Sequence, residues 1–288
     1  MAIANTVTLN TNFNVDPYYD DFDESKNYHR ILYRPGLAVQ GRELTQMQTI
    51  LQNQIDRFGE HVFKEGAILT GVEPSIEIVN FVKLRDSDSS NVLVTANNFV
   101  GTQITGATSN TVAIVIDSDT GSEAATPDLK TLYVNYINTG VANSSGNTVF
   151  TANEIITANT GGFTANVATG SSATGLTHRV SISEGVVFAK DHFIRVPAQS
   201  IILGKYNTYS SYKIGLNIEE SIITNNEDST LQDPASGSYN YAAPGAARLK
   251  LTPTLVKYAP TANTGTSFVE LTRVQNGFLV SNRIRTEY

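Results

Sequence analysis

Between Leu44 and Phe58 the apolar positions of this chain fall at spacings of three and four: Leu44, Met47, Leu51, Ile55, Phe58. That period puts all five on one face of an α-helix, and Val62 continues the stripe. Pro35-Gly36 breaks the chain before it, Thr45 and Gln48 supply a capping box if the helix starts late, and Gly59 is the expected stop. Beside the stripe lie Gln46, Gln48, Gln52, Asn53 and Gln54, amides rather than the usual Lys and Glu. Two readings follow: a core helix beneath a sheet, or a helix whose apolar face meets another chain.

Elsewhere the period is two. Ile76–Leu84 alternates cleanly, and short apolar runs recur at Val92–Val94, Thr111–Ile116, Thr131–Ile137, Glu154–Thr157 and Phe163–Val167, with Gly and Asn turns between them. Only six charged residues occur from Ser89 to His178. Thr95-Ala96-Asn97 returns at Thr151-Ala152-Asn153, a repeat offset by 56 residues. After Arg179 the strands lengthen: Val180–Ile182, Gly185–Ala189, His192–Val196, Ser200–Leu203, Ser211–Ile218, Arg248–Tyr258 and Ser267–Val274, with a bend at Pro197 and a polar loop over Glu219–Tyr241. The expected fold is mainly β with one N-terminal amphipathic helix (α+β), built of β-sandwich or small-barrel domains. The division expected is an arm and assembly helix over 1–66, a main β domain over 67–88 and 179–288, and an inserted small barrel or sandwich over 89–178.

Composition narrows the function. Charged residues make up 16% of the chain, against roughly 25% in ordinary globular proteins. Neutral, Thr- and Asn-rich surfaces suit β proteins that meet one another over large areas. A net charge of −7 without a basic cluster argues against nucleic acid as a partner. There is no cysteine, so neither disulfides nor thiolate metal sites hold the fold. Met1–Thr6 has no basic or apolar leader character, and no run of about 18 apolar residues marks a membrane span.

Two segments carry a resemblance: the acidic run Asp16-Pro17-Tyr18-Tyr19-Asp20-Asp21-Phe22-Asp23, then the Arg34-Pro35-Gly36 turn leading into Gln40-Gly41-Arg42-Glu43-Leu44-Thr45-Gln46-Met47-Gln48. Together they resemble the N-terminal region of a family of tailed-bacteriophage virion proteins, found in baseplate and tail-fibre components of contractile-tailed phages, including those that infect cyanobacteria. The likeness returns at Asp233-Pro234-Ala235 and Ala243–Leu249. It implies a place in a virion, assembled in the host cytoplasm, with other baseplate or tail-fibre proteins as partners. It also implies a homotrimer, and a chain that continues past Tyr288 into further β domains or a short form that has lost them. The expected interface residues are Asp16, Pro17, Tyr18, Tyr19 and Phe22 in the arm and Leu44, Met47, Leu51, Ile55 and Phe58 in the helix.

Catalytic patterns are missing: there is no Gly-x-Ser-x-Gly, phosphate loop, Gly-x-Gly-x-x-Gly or His-Glu-x-x-His. The four histidines, His29, His61, His178 and His192, stand far apart. Asp16, Asp20, Asp21, Asp23 and Glu24 lack the alternation of a calcium loop and read better as a charged rim around aromatic anchors. Glu184, Asp191 and Glu219 are the candidate carboxylates of a glycosidase, but no Trp offers a sugar platform. The expectation is therefore a non-enzymatic structural protein of the baseplate or tail-fibre root, with neither cofactor nor metal. The alternative is a carbohydrate-binding adhesion module carried by residues 89–178.

Overall fold

The computed structural model describes residues 9–121, 129–139 and 147–283. One helix, α1 (Gly41–Val62), precedes fifteen strands among the described residues. The first eight strands are β1 (Ala67–Thr70), β2 (Pro74–Lys83), β3 (Gln103–Gly106), β4 (Val112–Asp119), β5 (Thr131–Asn138), β6 (Ile155–Ala158), β7 (Thr164–Asn166) and β8 (Thr174–Ile182). The rest are β9 (Gly185–Ala189), β10 (His192–Val196), β11 (Gln199–Ile202), β12 (Tyr212–Ile223), β13 (Arg248–Tyr258), β14 (Phe268–Gln275) and β15 (Phe278–Asn282). The protein is mainly β with one helix near the N-terminus and curled sheets.

Eight strands form one antiparallel sheet in the order β11-β8-β2-β5-β4-β3-β6-β7, four form β13-β12-β14-β15, and three form β1-β9-β10. Two apolar cores result. One gathers Phe99, Ile104, Val115, Leu132, Val134, Phe150, Ile156 and Val167 under the far half of the large sheet. The other gathers Ile68, Val180, Val187, Val196, Leu203, Ile214, Leu216 and Leu271 where the three sheets face one another. The long β2–β8 ladder, paired from Pro74↔Ile182 to Val82↔Thr174, runs through both. Val82 belongs to the first core, and Val180 and Ile182 to the second.

Within the first core, β3–β4 and β6–β7 are two copies of one hairpin. Ile104, Ala113 and Val115 correspond to Ile156, Ala165 and Val167, fifty-two residues on, and all six are fully buried. The copies pair edge to edge, Ile104↔Ala158 and Gly106↔Ile156. The Thr-Ala-Asn offset of 56 belongs to the turns ahead of them, so the second copy is four residues shorter. The buried Glu154 carboxylate ties the copies together, accepting from Thr108 N–H, Ser109 N–H and Thr151 N–H.

Several sequence expectations need correction. Val92–Val94 is not a strand: Leu93 makes one isolated bridge to Ser87, and the Val92 and Leu93 side chains are exposed. The polar loop begins later than expected, because β12 continues to Ile223 through its ladder with β13. β15 was not anticipated, although Asn276-Gly277 is the standard two-residue hairpin signal: both residues have positive φ, between the paired Gln275 and Phe278. Gly59 does not stop α1. It lies inside the helix, buried, where a Cβ would sit 2.5 Å from Phe188 Cε2.

Lys190 and Asp191 form the two-residue turn between β9 and β10, both with positive φ. Main-chain geometry that non-glycine residues resist is held here from several directions. Glu65 accepts from Lys190 N–H at 3.1 Å, and the fully buried Lys190 ammonium donates to Glu220 on β12. Glu220 also accepts from Asn10 N–H (2.9 Å), Thr11 N–H (2.8 Å) and Thr11 Oγ1 (2.6 Å), which fixes the N-terminal arm to the sheet. Burial works to raise the Glu220 pKa, but these hydrogen bonds and the ammonium outweigh it and hold the carboxyl at about 2.

Removing one member of this pair leaves an unmatched buried charge. Lys190→Met should cost about 3–5 kcal/mol in urea unfolding, and Lys190→Met with Glu220→Leu should recover a large part of the loss. Additive losses in the double variant would show that the two groups are not coupled.

Candidate assembly interface

α1 packs with its amphipathicity inverted. Glu43 at the third helical position returns a side-chain hydrogen bond to Gln40 N–H (2.9 Å), completing a capping box one turn earlier than the Thr45/Gln48 start the sequence offers. Along the next six turns the side toward the rest of the chain carries Thr45, Thr49, Gln52, Asn53, Asp56 and Glu60, all half-buried. Ile50 and Gly59 are the helix's only fully buried residues. The opposite side carries Leu44, Met47, Leu51, Ile55, Phe58 and Val62, each between 42% and 67% exposed. Gln48, Gln54 and His61 share that exposed side, which holds no carboxylate and no Lys or Arg. Since apolar area normally turns inward, a helix set this way round exposes a face built for contact.

Polar contacts hold the helix in this attitude. The acidic run does not form a rim around aromatic side chains; it lies along α1 and hydrogen-bonds it. Asp20, buried, accepts from Thr49 Oγ1, and Asp21 accepts from Gln46 Nε2 (3.0 Å) and Arg42 (3.2 Å). Glu24 pairs with Arg57, Asp23 caps a short 3-10 turn through Ser25 N–H, and Asp16 accepts from Tyr19. Phe22 sits half-buried with Ile50 and Arg57 around a small crevice, Tyr18 is half-buried, and Asp16, Pro17 and Tyr19 are exposed. At the far end Phe63, Phe188 and Phe193 stack with centroids 5.2–5.8 Å apart, clamping the helix terminus to the β9–β10 hairpin.

That hairpin also meets α1 through carboxyl groups. Asp191, 7% exposed in the turn, faces Asp56 and Glu60 from α1 and Glu65 beyond it. Gln52 Nε2 donates to Asp56 (2.6 Å) and to the Asp191 carbonyl (3.4 Å). Burial, together with the negative charges of Glu60 and Asp56, pushes the Asp191 carboxyl up to about 7. Burial likewise raises Asp56 and Glu65.

The three carboxylates considered for hydrolysis are not gathered. Glu184 and Asp191 flank the two ends of β9, so a five-residue strand of roughly 17 Å separates them, beyond the 5–10 Å that glycoside cleavage uses. Glu184 pairs with Arg195 in solvent, and Glu219 is exposed on β12. Among the described residues no three His, Asp or Glu side chains are placed to hold a metal ion, and no helix is long and apolar enough to cross a membrane.

A family model described as a domain of unknown function, DUF4815, matches residues 16–130 and 165–288. The chain belongs to this family. The matched part contains the acidic run, α1, the β9–β10 hairpin and β12; the unmatched stretch contains β5 and β6. No curated protein and no solved structure matches the chain. The inverted helix and its socket are thus features of the part that the DUF4815 model covers.

Two outcomes follow from this geometry. Asp191 has a folded pKa near 7 against 3.8 unfolded, so the folded state holds its proton more tightly. Its contribution to stability is full below about pH 4, declines as pH rises to about 7, and is flat above. Asp191→Asn, which suits a positive φ, should match the parent near pH 4 and be more stable at pH 8 by thermal melting. An identical pH profile for the two proteins would remove Asp191 from the account. Gly59→Ala should destabilise by about 1–3 kcal/mol, because the added methyl meets the buried Phe188 ring. A gain of about 1 kcal/mol, as in an open helix interior, would mean that this contact is slack.

Proposed function

We propose that this protein is a non-enzymatic structural component of a contractile-tailed phage virion, located at the baseplate or the root of a tail fibre. The observation that carries the reading is the exposed, charge-free apolar face of α1, held outward by hydrogen bonds on its polar side. A stripe of this kind contributes nothing to its own subunit's core and gains its stabilisation when another chain covers it. The likeness of the Asp16–Asp23 run and the Gln40–Gln48 segment to phage tail proteins supports the setting. The neutral composition and the separation of Glu184, Asp191 and Glu219 fit a mechanical role.

The working form in this reading is a homotrimer in which α1 contacts a neighbouring copy. Leu44, Leu51 and Phe58 recur at seven residues, the repeat of a short seam, and uncharged neighbours let symmetry-related helices approach without repulsion. Proteomic analysis of purified particles tests the setting: the protein should be present in mature virions, and its absence would end the proposal. Light scattering tests the assembly. Leu51 is 62% exposed, so Leu51→Asp should stay folded and soluble while the particle mass falls to that of one chain. An unchanged oligomer would place the contact elsewhere on the surface.

A further inference from the structure

Residues 28–39 form a strap whose own subunit barely uses it. Among the described residues it makes one main-chain hydrogen bond, Leu37 N–H to Arg34 O at 3.3 Å, and its side chains make none. Tyr28, Leu32, Tyr33, Leu37 and Val39 are between 45% and 76% exposed, as fully as the helix stripe. Both ends are nonetheless pinned. Glu24, just before it, pairs with Arg57 in the last third of α1, and Gln40, just after it, caps the first turn. The strap therefore runs back along α1 from its C-terminal end to its N-terminal end. Tyr28 and His29 lie beside Gln54 and Arg57, next to the apolar face.

Area and charge together decide what covers these two surfaces. Six half-exposed side chains give the stripe roughly 500 Å² of apolar surface, short of the roughly 800 Å² per partner of a stable interface. Stripe against stripe is therefore too small by itself. The strap adds a similar area, but it is the most basic run of a chain whose net charge is −7: Lys26, Arg30, Arg34 and Arg42, with no acidic residue from Ser25 to Arg42. Strap against strap would bring Arg30 and Arg34 up to their own copies, and neither has an ion-pair partner among the described residues. Strap against stripe satisfies both conditions, because the stripe face is uncharged and the joint area exceeds the requirement.

We propose that the 28–39 strap of one copy lies on the apolar face of α1 of the next copy. The contact joins two different surfaces, so successive copies rotate in one sense and close into a ring, of which three is the number favoured above. It rests on the self-association reading and names the segment that makes the contact. The side chains responsible are Leu32, Tyr33 and Leu37 of the strap against Met47, Leu51 and Phe58 of the neighbouring helix.

The absence of native cysteine gives a clean test. Two differently tagged full-length chains, one Leu37→Cys and the other Leu51→Cys, are mixed, unfolded and refolded together, and oxidised. All the substituted side chains are exposed, so both should fold; Leu32→Cys and Phe58→Cys serve as a second pair in case the register differs. The expected product is a reducible band of two chains carrying both tags. Disulfides of Leu51→Cys with itself alone would mean a helix-to-helix seam, which overturns the strap contact and leaves self-association standing. A disulfide formed only within one chain of a Leu37→Cys/Leu51→Cys double variant would place the strap on its own helix and overturn it equally. No cross-link, with one-chain mass by light scattering, would overturn both the strap contact and the oligomer.

Discussion

The turn between β9 and β10 is the point on which the helix, the arm and the sheets all depend. Its two residues occupy positive-φ conformations that neither Lys nor Asp favours, and what holds them there also joins distant parts of the chain. Lys190 reaches Glu220 on β12, whose carboxylate fixes the arm at Asn10 and Thr11. The main chain of the turn meets Glu65 and Gln52 on either side of the helix terminus. Phe188, one residue before β9 ends, fills the notch at Gly59 and stacks on Phe63. A hairpin of ten strand residues is thereby the socket for a helix of 22, and the socket is made of charge and aromatic contact in place of an aliphatic groove.

That choice of contact explains why the apolar stripe remains outside. A helix docked by hydrogen bonds and ion pairs needs polar side chains on its inner side, and Thr45, Thr49, Gln52, Asp56 and Glu60 provide them. Each such bond contributes only about 0.5–1.5 kcal/mol net. Burying roughly 500 Å² of stripe is a gross term on the order of 10 kcal/mol per subunit before association costs are subtracted. The larger reserve of stabilisation therefore lies between chains, and the smaller one only sets the direction in which the helix faces.

Much of this was legible in the sequence, and the failures share a cause. The period of α1 gives the stripe and its members, and the runs at Ile76–Leu84, Gly185–Ala189 and Arg248–Tyr258 correspond to β2, β9 and β13. Periodicity reports that a helix has two faces but not which one its own subunit keeps; that is decided by Asp20, Asp21 and Glu24, whose partners lie 18 to 33 residues away in the chain. Gly59 was misread as a stop because a glycine that admits a phenylalanine ring and one that ends a helix are the same letter. Val92–Val94 has strand composition but no sheet neighbour beyond one bridge, so tertiary context overrides propensity there. The Lys190–Asp191 turn could not be anticipated, since neither residue type signals positive φ and their partners, Glu65 and Glu220, are remote in sequence.

The two kinds of contact respond oppositely to the surroundings, which bears on how such a protein stays soluble before it assembles. Ion pairs such as Arg57–Glu24 and Arg42–Asp21 are half-exposed and weaken as salt rises, whereas burial of the stripe does not. The carboxyl cluster at Asp191 loosens the helix terminus as pH rises toward neutrality, again without touching the stripe. An isolated chain is protected from indiscriminate association by the narrowness of the exposed face and by its border of Gln48, Gln54 and His61, whose hydrogen-bonding needs water meets. A correct neighbour must therefore match a specific strip of side chains, flanked by amides, at a helix angle fixed from behind. Rigid presentation of a small apolar strip on a polar mount favours a defined contact over general stickiness, because the mount fixes geometry and the strip supplies the energy.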